Sequence, residues 1–137
     1  CDLSVRALDE IIDYQEYPIL AAKQSAQSRR SLGIGYIGLA HYLAKNHVAY
    51  GDKEALELVD ETTEAFQYYL LKASNTLAQE KGQCEYFEKT KYSDGILPID
   101  TYKKDIDKIV KRKLSYDWKE LRKDIQEHGL RHRLQYF

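Results

Sequence analysis

Leu32-Gly-Ile-Gly-Tyr-Ile-Gly38 is a short apolar run broken by glycines, and its length and residue types fit a buried strand better than a helix. The glycines permit close backbone approach, and the run is expected to pass into a helix continuing through Ala44. A lone buried strand leaves backbone donors and acceptors without partners, so it needs neighbours. Ile96-Leu-Pro-Ile99 is the other extended segment. Most of the remainder reads as helix or turn, so the expected class is mainly α with one or two short strands. That imbalance points to a piece shaped inside something larger.

Working outward, Leu3, Leu8, Ile11, Ile12 and Gln15 mark an amphipathic helix near residues 2–16, stopped because Pro18 disfavours helical geometry at Tyr17. Ile19 to Arg30 is small and polar and reads as a connector with one loose turn. From Asp52, the series Leu56, Val59, Phe66, Leu70, Ala73, Leu77 recurs at helical spacing. It predicts a long core-facing helix with Asp52 as N-cap and Gly82 as its stop. Residues 83–115 break into an aromatic pair at Tyr86-Phe87, a turn at Ser93-Asp-Gly95, the extended Ile96–Ile99 and a charged helical stretch from Asp100 to Lys111. Asp117 with Glu120 starts a last helix carrying Trp118, Leu121 and Ile125, closed by Gly129.

A chain of 137 residues can form one domain that buries roughly 65–70% of its unfolded surface. Apolar residues at 43% and charged residues at 31% place it among globular chains. The 21 basic and 22 acidic residues nearly cancel, so no net field attracts nucleic acid or an anionic membrane. No apolar run approaches the ~18–20 residues that cross a bilayer, and the first residues lack a signal-peptide pattern, so a cytoplasmic location is expected. Cys1 and Cys84 lack Cys-x-x-Cys spacing and read as reduced thiols. The twelve tyrosines mostly lie beside charged residues, as amphipathic packing groups do.

Several motifs invite a chemical reading. Gly33-Ile-Gly35-Tyr-Ile-Gly38 matches G-x-G-x-x-G, but the polar Gln27-Ser-Arg-Arg-Ser31 stands where a dinucleotide fold needs an apolar strand. A glycine-eased strand-to-helix junction accounts for it better. His128 and His132 stand four apart, yet Gly129 ends the helix between them, and His41 and His47 have no ligand at metal spacing. Adjacent Tyr68 and Tyr69 diverge by roughly 100° on a helix, so one faces the core and the other solvent. No Ser/His/Asp or Cys/His arrangement is visible locally, and the acidic residues are expected mostly on solvated helix faces.

Trp118-Lys-Glu-Leu121, seven residues, then Gly129-Leu-Arg-His132 resembles the start of the ribonucleotide reductase large-subunit signature. Val5-Arg-Ala-Leu-Asp9, Asp13-Tyr-Gln-Glu-Tyr-Pro18, Arg29-Arg-Ser-Leu-Gly-Ile-Gly35, Gln67-Tyr-Tyr-Leu-Leu-Lys-Ala-Ser74 and Gly95-Ile-Leu-Pro-Ile-Asp-Thr-Tyr-Lys-Lys-Asp105 follow the same family in order. Together they resemble the central part of a class I ribonucleoside-diphosphate reductase alpha subunit over roughly residues 2–132. The resemblance implies a fragment of that family's ten-stranded α/β barrel, with residues 1–132 as a partial barrel segment and 133–137 as a non-family tail. Where the family runs on to a phosphate-binding loop, this sequence reads Arg133-Leu-Gln-Tyr-Phe137.

In the family, a thiyl cysteine, a redox cysteine pair, a glutamate and an asparagine lie upstream of this stretch, while the phosphate loop, tyrosine pair and C-terminal dithiol lie downstream. None maps onto a position here, so the expected catalytic, cofactor-binding and metal residues are none. Tyr68 and Tyr69 are not the family's pair, and Cys1 and Cys84 are not its active-site cysteines. The resemblance assigns scaffold work: a strand around Leu32–Tyr36 backed by the helix 52–81. The expected partners are the remaining alpha segments and, through them, the beta subunit. A stand-alone helical interaction module is the alternative, and nucleotide binding through Gly33–Gly38 a distant third.

Overall fold

A computed structural model of the chain describes residues 1–109 and 112–136. Five α-helices and two short strands follow in the order α1 (Asp2–Tyr14), α2 (Leu20–Arg29), β1 (Ser31–Ile34), α3 (Leu39–Lys45), α4 (Lys53–Lys81), α5 (Trp118–His128) and β2 (Arg133–Tyr136). The mainly helical class expected from sequence is the class observed.

The 29-residue α4 is the spine. Its C-terminal half buries Tyr68, Leu70, Leu71, Ala73, Leu77 and Ala78, and both α1 and α5 pack on it. Asp52 occupies the N-cap position without a side-chain bond to the first turn, and Gly82 ends the helix at φ 85°. The N-terminal half is less covered than its periodicity predicts, since Leu56 is exposed. Helix α5 starts as its capping residues dictate, with Asp117 accepting from the backbone N–H groups of Lys119 and Glu120 at 3.1 and 2.9 Å. It buries Trp118, Leu121 and Ile125 against α4. These side chains join Val5, Ile12, Leu32, Phe87, Leu97 and Leu130 in one core cluster.

Three expectations need correction. The span from Ile19 to Arg30 is not a connector with one turn but a ten-residue helix, α2. Leu20, Ala21, Ala22, Lys23, Gln24, Ala26, Gln27 and Arg29 include many strong helix formers, and none is buried, so propensity and not an apolar stripe makes this helix. On α1 the buried face is Val5, Asp9 and Ile12, while Leu3 and Ile11 point to solvent. The Asp100–Lys111 stretch forms only 3-10 turns at Pro98–Asp100 and Lys104–Lys108, and residues 110–111 lie outside the described residues.

Strand β1 starts one residue before the predicted run, ends at Ile34 within it, and pairs with an unpredicted partner. Its neighbour is β2, parallel and in register from Ser31 opposite Arg133 to Ile34 opposite Tyr136. Ile96-Leu-Pro-Ile99, the second extended segment read from sequence, instead leads into a 3-10 turn in which the Asp100 carboxylate accepts from Leu97 N–H at 2.7 Å. Besides its pairing with β2, strand β1 packs on α1.

Candidate functional site: a buried ionic node

Asp9 sits on the apolar stripe of α1, four residues after Val5 and three before Ile12, and is completely buried. A buried carboxylate must be paired and hydrogen-bonded, and the fold supplies partners from three places: the end of α2, the end of α4 and the residues leading into β2. Arg30 donates Nε to Asp9 Oδ1 at 2.7 Å and Nη2 to the Asp9 carbonyl at 2.8 Å. The same guanidinium forks onto both oxygens of Asp13 at 2.8 Å. Arg30 closes α2 in the left-handed region at φ 44° and ψ 50°, a conformation usually left to glycine. That turn delivers its side chain into the node, and the ion pairs offset the backbone strain.

Two further groups arrive just before β2. Arg131 Nε lies 3.3 Å from Asp9 Oδ1, and His132 Nε2 lies 2.9 Å from the same oxygen. From the α4 terminus, Lys81 reaches Asp9 Oδ2 at 3.3 Å and also pairs with Glu10. Burial acts to raise the Asp9 pKa, but Arg30, His132 and Arg131 outweigh it and hold the carboxyl down at about 2. Burial lowers His132, against the pull of Asp9, to about 4, so its imidazole is neutral at pH 7.

That neutrality fixes the hydrogen-bond directions. His132 Nε2–H donates to Asp9, so Nδ1 accepts from the Ser74 hydroxyl at 3.0 Å. Ser74 Oγ in turn accepts from His132 N–H at 3.1 Å, and Ser74 O accepts from Arg131 N–H at 3.2 Å. Ser74, His132 and Asp9 thus form a Ser/His/Asp chain that local sequence did not reveal. Its chemistry differs from a hydrolytic triad. Serine and aspartate occupy the ring nitrogens opposite to those a serine nucleophile uses, and all three side chains are sealed from solvent. A nucleophile without access to substrate is a structural clasp, and this one fastens the entry of β2 to α1 and α4.

A second clasp lies halfway along α4. Glu64, also buried, accepts from Trp118 Nε1 at 2.9 Å, from Ser115 N–H at 2.9 Å and from Arg112 Nη1 at 2.5 Å. Burial works against its charge, but Trp118, Arg112 and the two backbone donors at Ser115 and Tyr116 bring its pKa below the usual range. The expectation that the acidic residues lie on solvated faces fails at Asp9 and Glu64. Each sits on an apolar helical stripe, Asp9 with Val5 and Ile12, and Glu64 with Tyr68, Leu71 and Asn75, and that placement was the sequence signal.

The motifs singled out in the sequence do not converge. Tyr68 is buried and Tyr69 half exposed, with their rings edge-on at 5.5 Å, as helical geometry requires. Tyr68 stacks on Tyr116 at 4.7 Å and meets Trp118 edge-on at 5.3 Å. Gly33 lies in β1, and Gly38 precedes the short α3 at φ 87°. His128 lies near the surface beside Glu127, whereas His132 is inside the node. His41 and His47 are exposed, and among the described residues no group of three metal-ligating side chains comes together. Cys1 is exposed and Cys84 buried, both as free thiols, and burial pushes the Cys84 thiol up.

Two strands in parallel register, a helical spine and two buried ionic clasps make up the described structure. A family model described as the ribonucleotide reductase barrel domain matches residues 1–136, and the chain belongs to that family. It is 62% identical to a ribonucleoside-diphosphate reductase subunit alpha from Haemophilus influenzae over 93% of this chain and 17% of that relative. Against the Escherichia coli K12 reductase 1 subunit alpha the identity is 58% over 88% of the chain and 16% of the relative. The enterobacteria phage T4 subunit alpha is 46% identical over 95% of the chain and 17% of its own length. The chain therefore spans about one sixth of the relatives it matches. The family match includes residues 133–136, where β2 lies.

Proposed function

We propose that this chain is a structural segment of a ribonucleoside-diphosphate reductase alpha subunit, carrying part of the barrel wall and inactive by itself. The parent reaction is the reduction of ribonucleoside diphosphates to deoxyribonucleoside diphosphates. In this reading residues 1–132 do wall work, and no residue is catalytic, cofactor-binding or metal-binding. The partners are the remaining alpha segments and, through them, the beta subunit, in the cytoplasm. No nucleic acid and no membrane takes part. Among the described residues no helix is long and apolar enough to cross a membrane.

The supporting observation is the parallel pair β1 and β2. Parallel strands occur almost only in larger sheets covered on both faces, and two of them leave backbone edges that further strands would satisfy. Exposed Leu3, Tyr14, Ile19, Leu20 and Ile37 are apolar groups that such neighbours would cover. The same surface also favours the alternative, a stand-alone helical interaction module.

The deciding experiment mixes the chain with polypeptides covering the rest of an alpha subunit, a beta subunit and reductant, and follows CDP reduction. Activity is expected only in the complete mixture. Turnover by the 137-residue chain alone would refute the assignment, whereas tight capture of an unrelated protein without reductase complementation would favour the module.

A further inference from the structure

Arg29, Lys89 and Arg133 line one cleft of about 350 Å3 together with Cys84, Tyr86 and Thr90. No carboxylate is among these lining residues. The chain has seven arginines, and the five outside the cleft each hold a carboxylate: Arg6 with Glu80, Arg30 and Arg131 with Asp9, Arg112 with Glu64, and Arg122 with Asp100. The two lining the cleft have no such partner among the described residues. In a chain with a net charge of −1, three uncompensated cations in one concavity are a local reversal of sign.

The cleft also holds two of these cations in place without neutralising them. The Arg29 guanidinium lies 4.9 Å from the centroid of the Tyr86 ring, and Lys89 Nζ lies 4.1 Å from the same centroid. An aromatic face orients a cation yet leaves its charge available, whereas a carboxylate would cancel it. Arg29 Nη1 is steadied further by Ser25 Oγ at 2.7 Å, and Tyr86 N–H donates to Ser28 O at 3.2 Å, tying the loop to the end of α2. The Cys84 thiol in the lining is kept protonated by burial and adds no competing negative charge.

We infer that this cleft binds a phosphate-type oxyanion, with the guanidinium groups of Arg29 and Arg133 and the ammonium of Lys89 as its ligands. Guanidinium forks match phosphate oxygens, and an anion among three like charges relieves their mutual repulsion. The Tyr86 ring is already occupied by cations, so recognition is by charge and not by stacking of a base. This binding role goes beyond the scaffold function proposed above and does not depend on it.

The test is calorimetric titration of the full chain at low ionic strength with inorganic pyrophosphate, inorganic phosphate and AMP. Saturable binding of pyrophosphate at a single site is expected. Lys89→Gln and Arg133→Gln, both at exposed positions, should each weaken it about tenfold with far-UV circular dichroism unchanged. The control pair Lys103→Gln/Lys104→Gln, which removes one positive charge more than either single variant, should leave it intact. AMP binding tighter than phosphate assigns the site to phosphate esters, and equal affinities assign it to the free anion. No saturable pyrophosphate binding, or equal loss in the control pair, overturns the proposal.

Discussion

Asp9→Asn keeps the shape of the node's central side chain and removes its charge. Arg30, Arg131 and His132 all address Oδ1, whereas Lys81 alone addresses Oδ2. The amide oxygen would therefore take the crowded side, and the amide NH2 would face Lys81. That side chain is 38% exposed and already pairs with Glu10, so it can turn away at little cost. Arg30 cannot, because its side chain is only 5% exposed. Stripping one partner from a buried ion pair costs about 3–5 kcal/mol, and the surviving fork onto half-exposed Asp13 places the loss near the lower end, about 3 kcal/mol. For a chain of this length that corresponds to a fall in Tm of roughly 10 °C. Urea and thermal unfolding at pH 7, followed by circular dichroism, measure it directly. A loss below about 1 kcal/mol would mean that water solvates the node and that its ion pairs behave like surface ones.

The remaining predictions concern pH, the second clasp and one turn. His132 has a folded pKa of about 4 against 6.5 for an imidazole free in water, so its contribution is complete above pH 6.5 and is lost as pH falls toward 4. The shift corresponds to about 3 kcal/mol, and Asp9, lowered from 3.8 to about 2, adds a further loss below pH 3.8. Urea midpoints for the wild type and His132→Asn from pH 7 to 4.5 test this, since a decline of equal size in both would clear His132 of the effect. Glu64→Gln should destabilise by about 2–3 kcal/mol and shift Trp118 fluorescence to the red, because the amide cannot accept from Arg112, Ser115 and Trp118 together. An unchanged emission maximum would contradict the docking role. Gly129→Ala should cost about 1–2 kcal/mol, since Gly129 sits at φ 75° and an added Cβ would press on the Gln83 side chain. A Tm within experimental error of the wild type would refute the strain.

What the sequence disclosed depended on how local the signal was. Helix α4 and its glycine stop, and the Asp117 cap of α5, are encoded within a few residues and appear where the periodicity and capping rules put them. Helix α2 has the helix formers but buries nothing, so a reading tuned to apolar stripes passed over it. Strand β2 is hard to see locally because Arg133-Leu-Gln-Tyr136 is only four residues long, although its polar–apolar alternation is the period of a strand. The nodes were the least legible part. Asp9 meets His132 across 123 positions and Glu64 meets Trp118 across 54, separations at which no local rule operates. The local trace was a carboxylate on the inward stripe of each helix.

The span from Asp9 to His132 also sets an order of events during synthesis. A ribosome adding roughly 5–20 residues per second needs about 6–25 s to travel those 123 positions. Through that interval the nascent α1 has no His132 to engage and β1 lacks β2. Arg30 and Lys81 can reach the Asp9 carboxylate earlier, but the clasp is incomplete until Arg131 and His132 emerge from the exit tunnel. Closure of the two ends is then nearly simultaneous, so chains stalled before residue 132 should be open to proteases along both α1 and β1.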